Sequence, residues 1–241
     1  MLHLRPLGHA TAEYLTRGLP SRRTRVLRDN DDVQTFAIDE LVGRASGLVK
    51  PGRRAVLGLC GAPGVGKSSL AVAVVKKLRT TGVEAVHVPM DGFHLADVAL
   101  VERGLLDRKG AIETFDGHGY LALLRRIRDD RDHDVLAPTF ERELEQPIAG
   151  AITVPPAATI LVTEGNYLLD EAEPWPEARA VMDEVWFVDL DDDRRRSRLV
   201  GRHVKHGKTK AEAQAWVDTV DEPNAQRVIA RRDAADHVVR A

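Results

Sequence analysis

Runs of consecutive apolar residues alternate along this chain with stretches in which apolar positions recur every third or fourth residue. Ala55 to Cys60 is the first such run; it enters a glycine-rich turn, and Ser68 to Leu78 follows with Leu70, Val74 and Leu78 at helical spacing before Gly82. That succession predicts strand, loop and helix, because a strand covered on both faces is apolar throughout while a surface helix buries one stripe. Four later runs, Glu84 to Met90, Ala158 to Thr163, Glu184 to Leu190 and His237 to Arg240, predict further buried strands. Helical patterns at Tyr120 to Arg128, Asp193 to His203 and Lys210 to Arg232 lie between them, the last predicted to break near Pro223. Such alternation, joined by right-handed crossovers, predicts a doubly wound α/β sandwich of three layers around a parallel sheet of about five strands.

Ahead of this core, Phe36, Ile38, Leu41, Val42 and Leu48 suit a helix between Val33 and Val49, stopped by Lys50-Pro51-Gly52. Residues 1–32 are rich in arginine without a sustained period and are expected to form an N-terminal extension. The length of 241 residues then suits a single domain over 33–241, with a helical lid at about 191–210.

Composition narrows the function. With 35 basic and 37 acidic side chains and a formal charge of -2, the chain advertises no nucleic-acid or membrane partner. Its one cysteine, Cys60, lies in an apolar run and cannot form an intramolecular disulfide, so a buried thiol in a reducing compartment is expected. No stretch approaches the roughly 20 apolar residues that span a bilayer, and the N-terminus lacks the apolar core of a signal peptide. A cytoplasmic protein is expected; a homodimer is compatible with the sequence.

Gly61-Ala62-Pro63-Gly64-Val65-Gly66-Lys67-Ser68 matches the P-loop pattern G-x-x-x-x-G-K-S between a strand and a helix. Glycines let successive N–H groups turn inward around a phosphate, and the helix N-terminus adds partial positive charge. Lys67 is expected to reach the β and γ oxygens of ATP, Ser68 to ligate Mg2+, and Ser69 to continue the cradle. A GTPase would need a guanine-reading Asn-Lys-x-Asp segment, which is absent.

After the second predicted strand, Asp91 opens Asp91-Gly92-Phe93-His94 at the sheet edge where open α/β folds collect ligands. A carboxylate near the γ-phosphate can take the proton of an incoming hydroxyl; a turn aspartate is the plainer alternative. Either Glu164, after the run Thr159 to Thr163 in Thr159 to Asn166, or Asp189, ending Val185 to Asp189, could complete the cation site. Arg194, Arg198 and Arg202 share one helix face at i, i+4, i+8. Folded over a triphosphate, such arginines neutralise developing charge, Arg198 and Arg202 being favoured with His203 and Lys205 as accessories; otherwise they form a solvated basic face.

Asp91-Gly92-Phe93-His94, with Glu102-Arg103-Gly104-Leu105, Lys109-Gly110, Glu113 and Asp116, resembles the corresponding segment of bacterial pantothenate kinase. The similarity runs from about Ala55 to Arg202 and extends to the wider uridine kinase and phosphoribulokinase group and to bacterial kinases labelled nucleoside or sugar kinases. The resemblance implies a P-loop NTPase fold, Asp91 as catalytic base, and Glu164-Gly165 as the pair beside the magnesium. It implies an acceptor pocket lined by Phe140 and Arg142 of Pro138-Thr139-Phe140-Glu141-Arg142 and places Asn224 near the adenine; His94 is expected either to orient the acceptor or to pack beside Phe93, and Asn166 is counted among the acceptor contacts. Pantothenate kinase has tyrosine and histidine at the positions of Phe140 and Arg142, so the acceptor contacts differ here. The expected activity is transfer of the γ-phosphoryl group of ATP to a hydroxyl of a small metabolite of pantothenate, nucleoside or sugar type. The rival expectation is a nucleotide-hydrolysing switch or chaperone acting on a protein partner.

Overall fold

The computed structural model describes residues 30–240; positions 1–29 of the expected extension lie outside them. Helix α1 (Asn30–Gly47) starts earlier than the expected Val33 and packs Leu41, Val42 and Ala45 into the core. Strand β1 (Ala55–Cys60) leads through the glycine turn into α2 (Lys67–Thr80) and then β2 (Ala85–Pro89). A short 3-10 turn, Met90–Phe93, precedes α3 (Asp97–Arg103) and α4 (Gly117–Asp129). Next come β3 (Val135–Glu141), β4 (Gln146–Val154), β5 (Ile160–Gly165), α5 (Trp175–Val181) and β6 (Glu184–Asp189). The described chain closes with α6 (Asp192–Lys205), α7 (Lys210–Trp216), α8 (Glu222–Ile229) and β7 (His237–Arg240).

Strands β2-β5-β1-β6-β7 form one five-stranded sheet, parallel at every pairing. All six residues of β1 are buried, because alternate side chains enter opposite layers. Val56 and Cys60 join Tyr120, Leu124 and Trp175 on one face, while Ala55, Leu57 and Leu59 join Ala71, Val74 and Leu78 on the other. The expected doubly wound sandwich is therefore present.

Two elements depart from the sequence reading. Strands β3 and β4 form an antiparallel hairpin apart from the main sheet, although Pro138 and Thr139 disguise the period. Their register slips between Ala137 and Thr139, and such an irregular two-stranded ribbon tolerates a proline. The last helix, expected to break near Pro223, instead widens into one π turn at Val217–Asp221 immediately before it. Proline cannot donate to the carbonyl four residues back and crowds it; the wider turn absorbs both faults without ending the helix.

Candidate active site

The carboxyl ends of three neighbouring strands lie in register: Pro89 of β2 opposite Glu164 of β5, and Cys60 of β1 opposite Gly165. The residues that follow them, Asp91 and the turn from Gly61 to Ser68, therefore share one edge with Glu164. Here the structure opens a cavity of about 650 Å³ lined by Lys67, Ser68, Asp91, Glu164, Arg142 and Arg202 among others.

In the glycine turn, Gly64 and Gly66 have φ +87 and +99, which side-chain-bearing residues rarely adopt. A Cβ on Gly64 would also lie 2.7 Å from Leu199 Cγ, so the glycine lets α6 close against the loop. Lys67 is buried; its Nζ donates to Ala62 O at 3.1 Å and to Asn166 Oδ1 at 2.8 Å. Burial lowers its pKa, and Glu164 and Asp91 oppose that by favouring the charged form. Asn166, expected against the acceptor, thus touches Lys67. Gly61, Ala62, Pro63, Val65 and Ser69 complete the loop and the first turn of α2, and Pro63 and Ser69 also line the cavity.

Ser68 Oγ donates to Glu164 Oε1 at 2.9 Å. Strand spacing left Glu164 and Asp189 level and the resemblance favoured Glu164; here Glu164 is the one that meets Ser68, while Asp189 receives Arg232 Nη2 at 3.1 Å. Burial acts to raise the Glu164 pKa, but His87, Lys67 and Ser68 outweigh it and hold the carboxyl below its usual range. Sequence reasoning missed His87: its Nε2 is 3.8 Å from Glu164 Oε1, too long for a hydrogen bond, and only the β2–β5 pairing brings it there. A hydroxyl and a carboxylate, both oxygen donors, suit Mg2+, which keeps waters and substrate phosphates for its remaining positions.

Asp91 behaves oppositely to Glu164. Burial and the nearby Glu164 charge raise its pKa, against the pull of Arg142, Lys67 and Arg202. Arg142 Nη2 comes from the β3–β4 turn to 3.6 Å from Asp91 Oδ2. The His94 ring lies 4.0 Å from the Phe115 centroid and 4.8 Å from that of Phe140. Among the described residues its Nδ1 is buried without a partner, and burial, Lys109 and Arg142 push its pKa down to about 3.

The arginines of α6 divide by partner. Arg195 is fully buried between Asp192 and Glu222, and Arg196 pairs with Asp218 and Glu222, so both fasten α6 to the helices behind it. Arg198 Nη1 is 3.5 Å from Val65 O in the glycine turn. Among the described residues Arg202 makes no ion pair; burial weighs against its charge while Asp221 and Asp91 support it. His203 Nε2 lies 2.7 Å from Asp221 Oδ2, and Asn224 lines the same end of the cavity. Lys205 is exposed outside it. Cys60 is buried, its thiol pushed up to about 11 by burial, with Sγ 3.3 Å from Asn166 O.

No helix of the described residues is long and apolar enough to cross a membrane. No protein-family model matches the chain. It is 34% identical over 196 residues to a Schizosaccharomyces pombe protein named "Putative uridine kinase", covering 78% of this chain and 81% of that one. An Aspergillus versicolor "ATP-dependent kinase-like protein" is 35% identical over 152 residues, covering 59% of this chain and 88% of the relative. Among solved structures, a "putative fructose transport system kinase" from Silicibacter superposes with TM-score 0.78 at 36% identity, covering 84% of this chain and 98% of that one.

Proposed function

This chain belongs to the P-loop small-molecule kinases, and from that membership we propose that it transfers the γ-phosphoryl group of ATP directly to a hydroxyl of a small acceptor bound beside Asp91. The observation that carries this reading is the sharing of one cavity by the P-loop lysine, a Ser68–Glu164 oxygen pair and an aspartate of raised pKa. A hydrolysing switch leaves that aspartate and the aromatic wall around His94 without work.

In the proposed reaction the acceptor oxygen attacks the γ-phosphorus in line, the bond to the β-bridging oxygen breaks, and the electron pair leaves with ADP. Asp91 takes the hydroxyl proton; the elevated pKa makes it a better acceptor than an ordinary surface aspartate. Lys67 and Arg202 hold the phosphoryl oxygens, where charge spreads in the loose transition state. Bound Mg2+, held by Ser68 and Glu164, would neutralise phosphate charge. Arg198, with Gly61 to Ser69 and Asn224, holds the nucleotide, and α6 within the 191–210 segment acts as the lid of one kinase domain over 33–241. His94, Phe140, Arg142 and Asn166 form the acceptor side, for a pantothenate-, nucleoside- or sugar-type molecule.

The test is ATP consumption by the pure protein against a panel of such acceptors, repeated with Asp91→Asn. Turnover should rise with one acceptor class and fall about 100-fold or more in the variant, with ATP affinity nearly unchanged. Equal rates would remove Asp91 from the reaction; turnover indifferent to every metabolite but raised by a protein partner would favour the switch.

A further inference from the structure

Two of the cations that line the cavity beside Phe140 and Asp91 are in different situations. Lys109 Nζ is already bound to Asp97 Oδ1 at 2.7 Å and to the Glu145 carbonyl, and stands 5.5 Å from the Phe140 centroid. Its charge is spoken for. Arg142 is not so engaged: its side chain keeps 46% of its surface, and its ion-pair partner is Asp91 at 3.6 Å. Among the described residues its guanidinium makes no hydrogen bond. A planar fork of five donors, held at a cavity mouth with those donors free, matches a carboxylate or phosphate in two-pronged contact.

The position of Arg142 adds a second constraint. A guanidinium resting against Asp91 competes with the acceptor hydroxyl for the carboxylate that must receive its proton. A neutral polyol offers Arg142 nothing better than Asp91. An anion on the acceptor does, and by drawing the guanidinium to itself it leaves Asp91 to the hydroxyl. The unpartnered, neutral His94 fits the same picture, because the charges that disfavour its protonation are those of Lys109 and Arg142.

We propose that Arg142 reads the acceptor, and that the acceptor carries an anionic group, a phosphate monoester or a carboxylate, beside the hydroxyl that is phosphorylated. This rests on the kinase reading above. The anionic group is unchanged by the reaction: only the hydroxyl O–H and the bond from the γ-phosphorus to the bridging oxygen break, and the new O–P bond forms.

The experiment uses the full chain, Mg-ATP and acceptor twins that differ in one anionic group: glycerol with glycerate, pantothenyl alcohol with pantothenate, and fructose with a fructose monophosphate. In the pair that turns over, kcat/KM for the anionic twin exceeds that for the neutral one by about tenfold or more, as befits a charge-assisted contact. Arg142→Met removes that preference by raising KM for the anion more than it lowers kcat, and Arg142→Lys restores part of it. The carboxylate and phosphate twins tell which anion is meant. Independently of turnover, Arg142 is open to arginine-selective dicarbonyl reagents. With a non-hydrolysable ATP analogue bound, an anionic twin should slow its modification, read by peptide mass spectrometry, while the neutral twin does not. Faster turnover of a neutral twin, an anion preference that survives Arg142→Met, or no protection by any anionic twin overturns the proposal. Protection without turnover of any acceptor supports the anion subsite and removes the kinase reading beneath it.

Discussion

Asp91 and Glu164 occupy the same poorly hydrated corner, and their neighbours drive them apart. Glu164 accepts from Ser68 and faces Lys67 and His87, so it stays ionised; Asp91 meets fewer donors and feels Glu164 as a like charge. Two acids in one site with opposed shifts suit the division of labour proposed above, Glu164 toward the metal and Asp91 toward the proton. His94 gives a residue-scale prediction of another kind. Its pKa falls from 6.5 to about 3 on folding, so between those values the unfolded chain holds the additional proton. Stability attributable to His94 is therefore present above pH 6.5 and lost as the pH falls toward 3. His94→Gln should flatten the dependence of Tm on pH over the accessible acid range in thermal unfolding, and an unchanged slope contradicts the assignment. The Asp91 position could be read from a carboxylate at a strand end; the orphaned His94 Nδ1 could not, because it depends on Phe115 and Phe140, distant in sequence, closing around the ring.

At the scale of elements, the β3–β4 hairpin shapes the end of the cavity beside Asp91, the proposed acceptor side. It leans on the turn after β2, where a Cβ on Gly92 would stand 2.6 Å from Pro138 O. Glycine there allows the hairpin to bring Phe140 and Arg142 over Asp91. Gly92→Ala must push the hairpin outward, at a cost of about 1–3 kcal/mol by the usual penalty for overpacking. Acceptor KM should rise while the affinity for an ATP analogue stays within error, since the glycine turn lies on another element. Steady-state kinetics with calorimetric nucleotide binding would check this, and an unaltered KM would mean that the hairpin does not set the acceptor geometry. Helix α6 teaches a related lesson. Its arginines look alike in sequence, yet Asp192, Asp218 and Glu222 claim Arg195 and Arg196 for fastening helices, and so leave Arg198 and Arg202 on the cavity.

Across the whole molecule, the parallel sheet gathers the glycine turn, Asp91 and Glu164 at one edge, so nucleotide binding should be felt by the entire fold. A ligand at 100 times its Kd adds about 2.7 kcal/mol of stability, which for a chain of this size corresponds to a Tm increase of roughly 5–10 °C. A non-hydrolysable ATP analogue with Mg2+ should produce that increase, and Lys67→Met should abolish most of it. A shift unaffected by the variant would place the nucleotide elsewhere. The sequence by itself determined the strand–turn–helix unit around Gly61 to Ser68, the five sheet strands and the acid following β2, because a glycine turn and apolar runs are requirements that neighbouring residues state together. Only the tertiary structure decided that Glu164 rather than Asp189 faces Ser68, that Arg202 stands without an ion-pair partner among the described residues, and that Arg142 reaches Asp91. Those outcomes depend on strand register and on which opposite charges packing brings within a few ångströms, and neither is encoded in any local stretch of the chain.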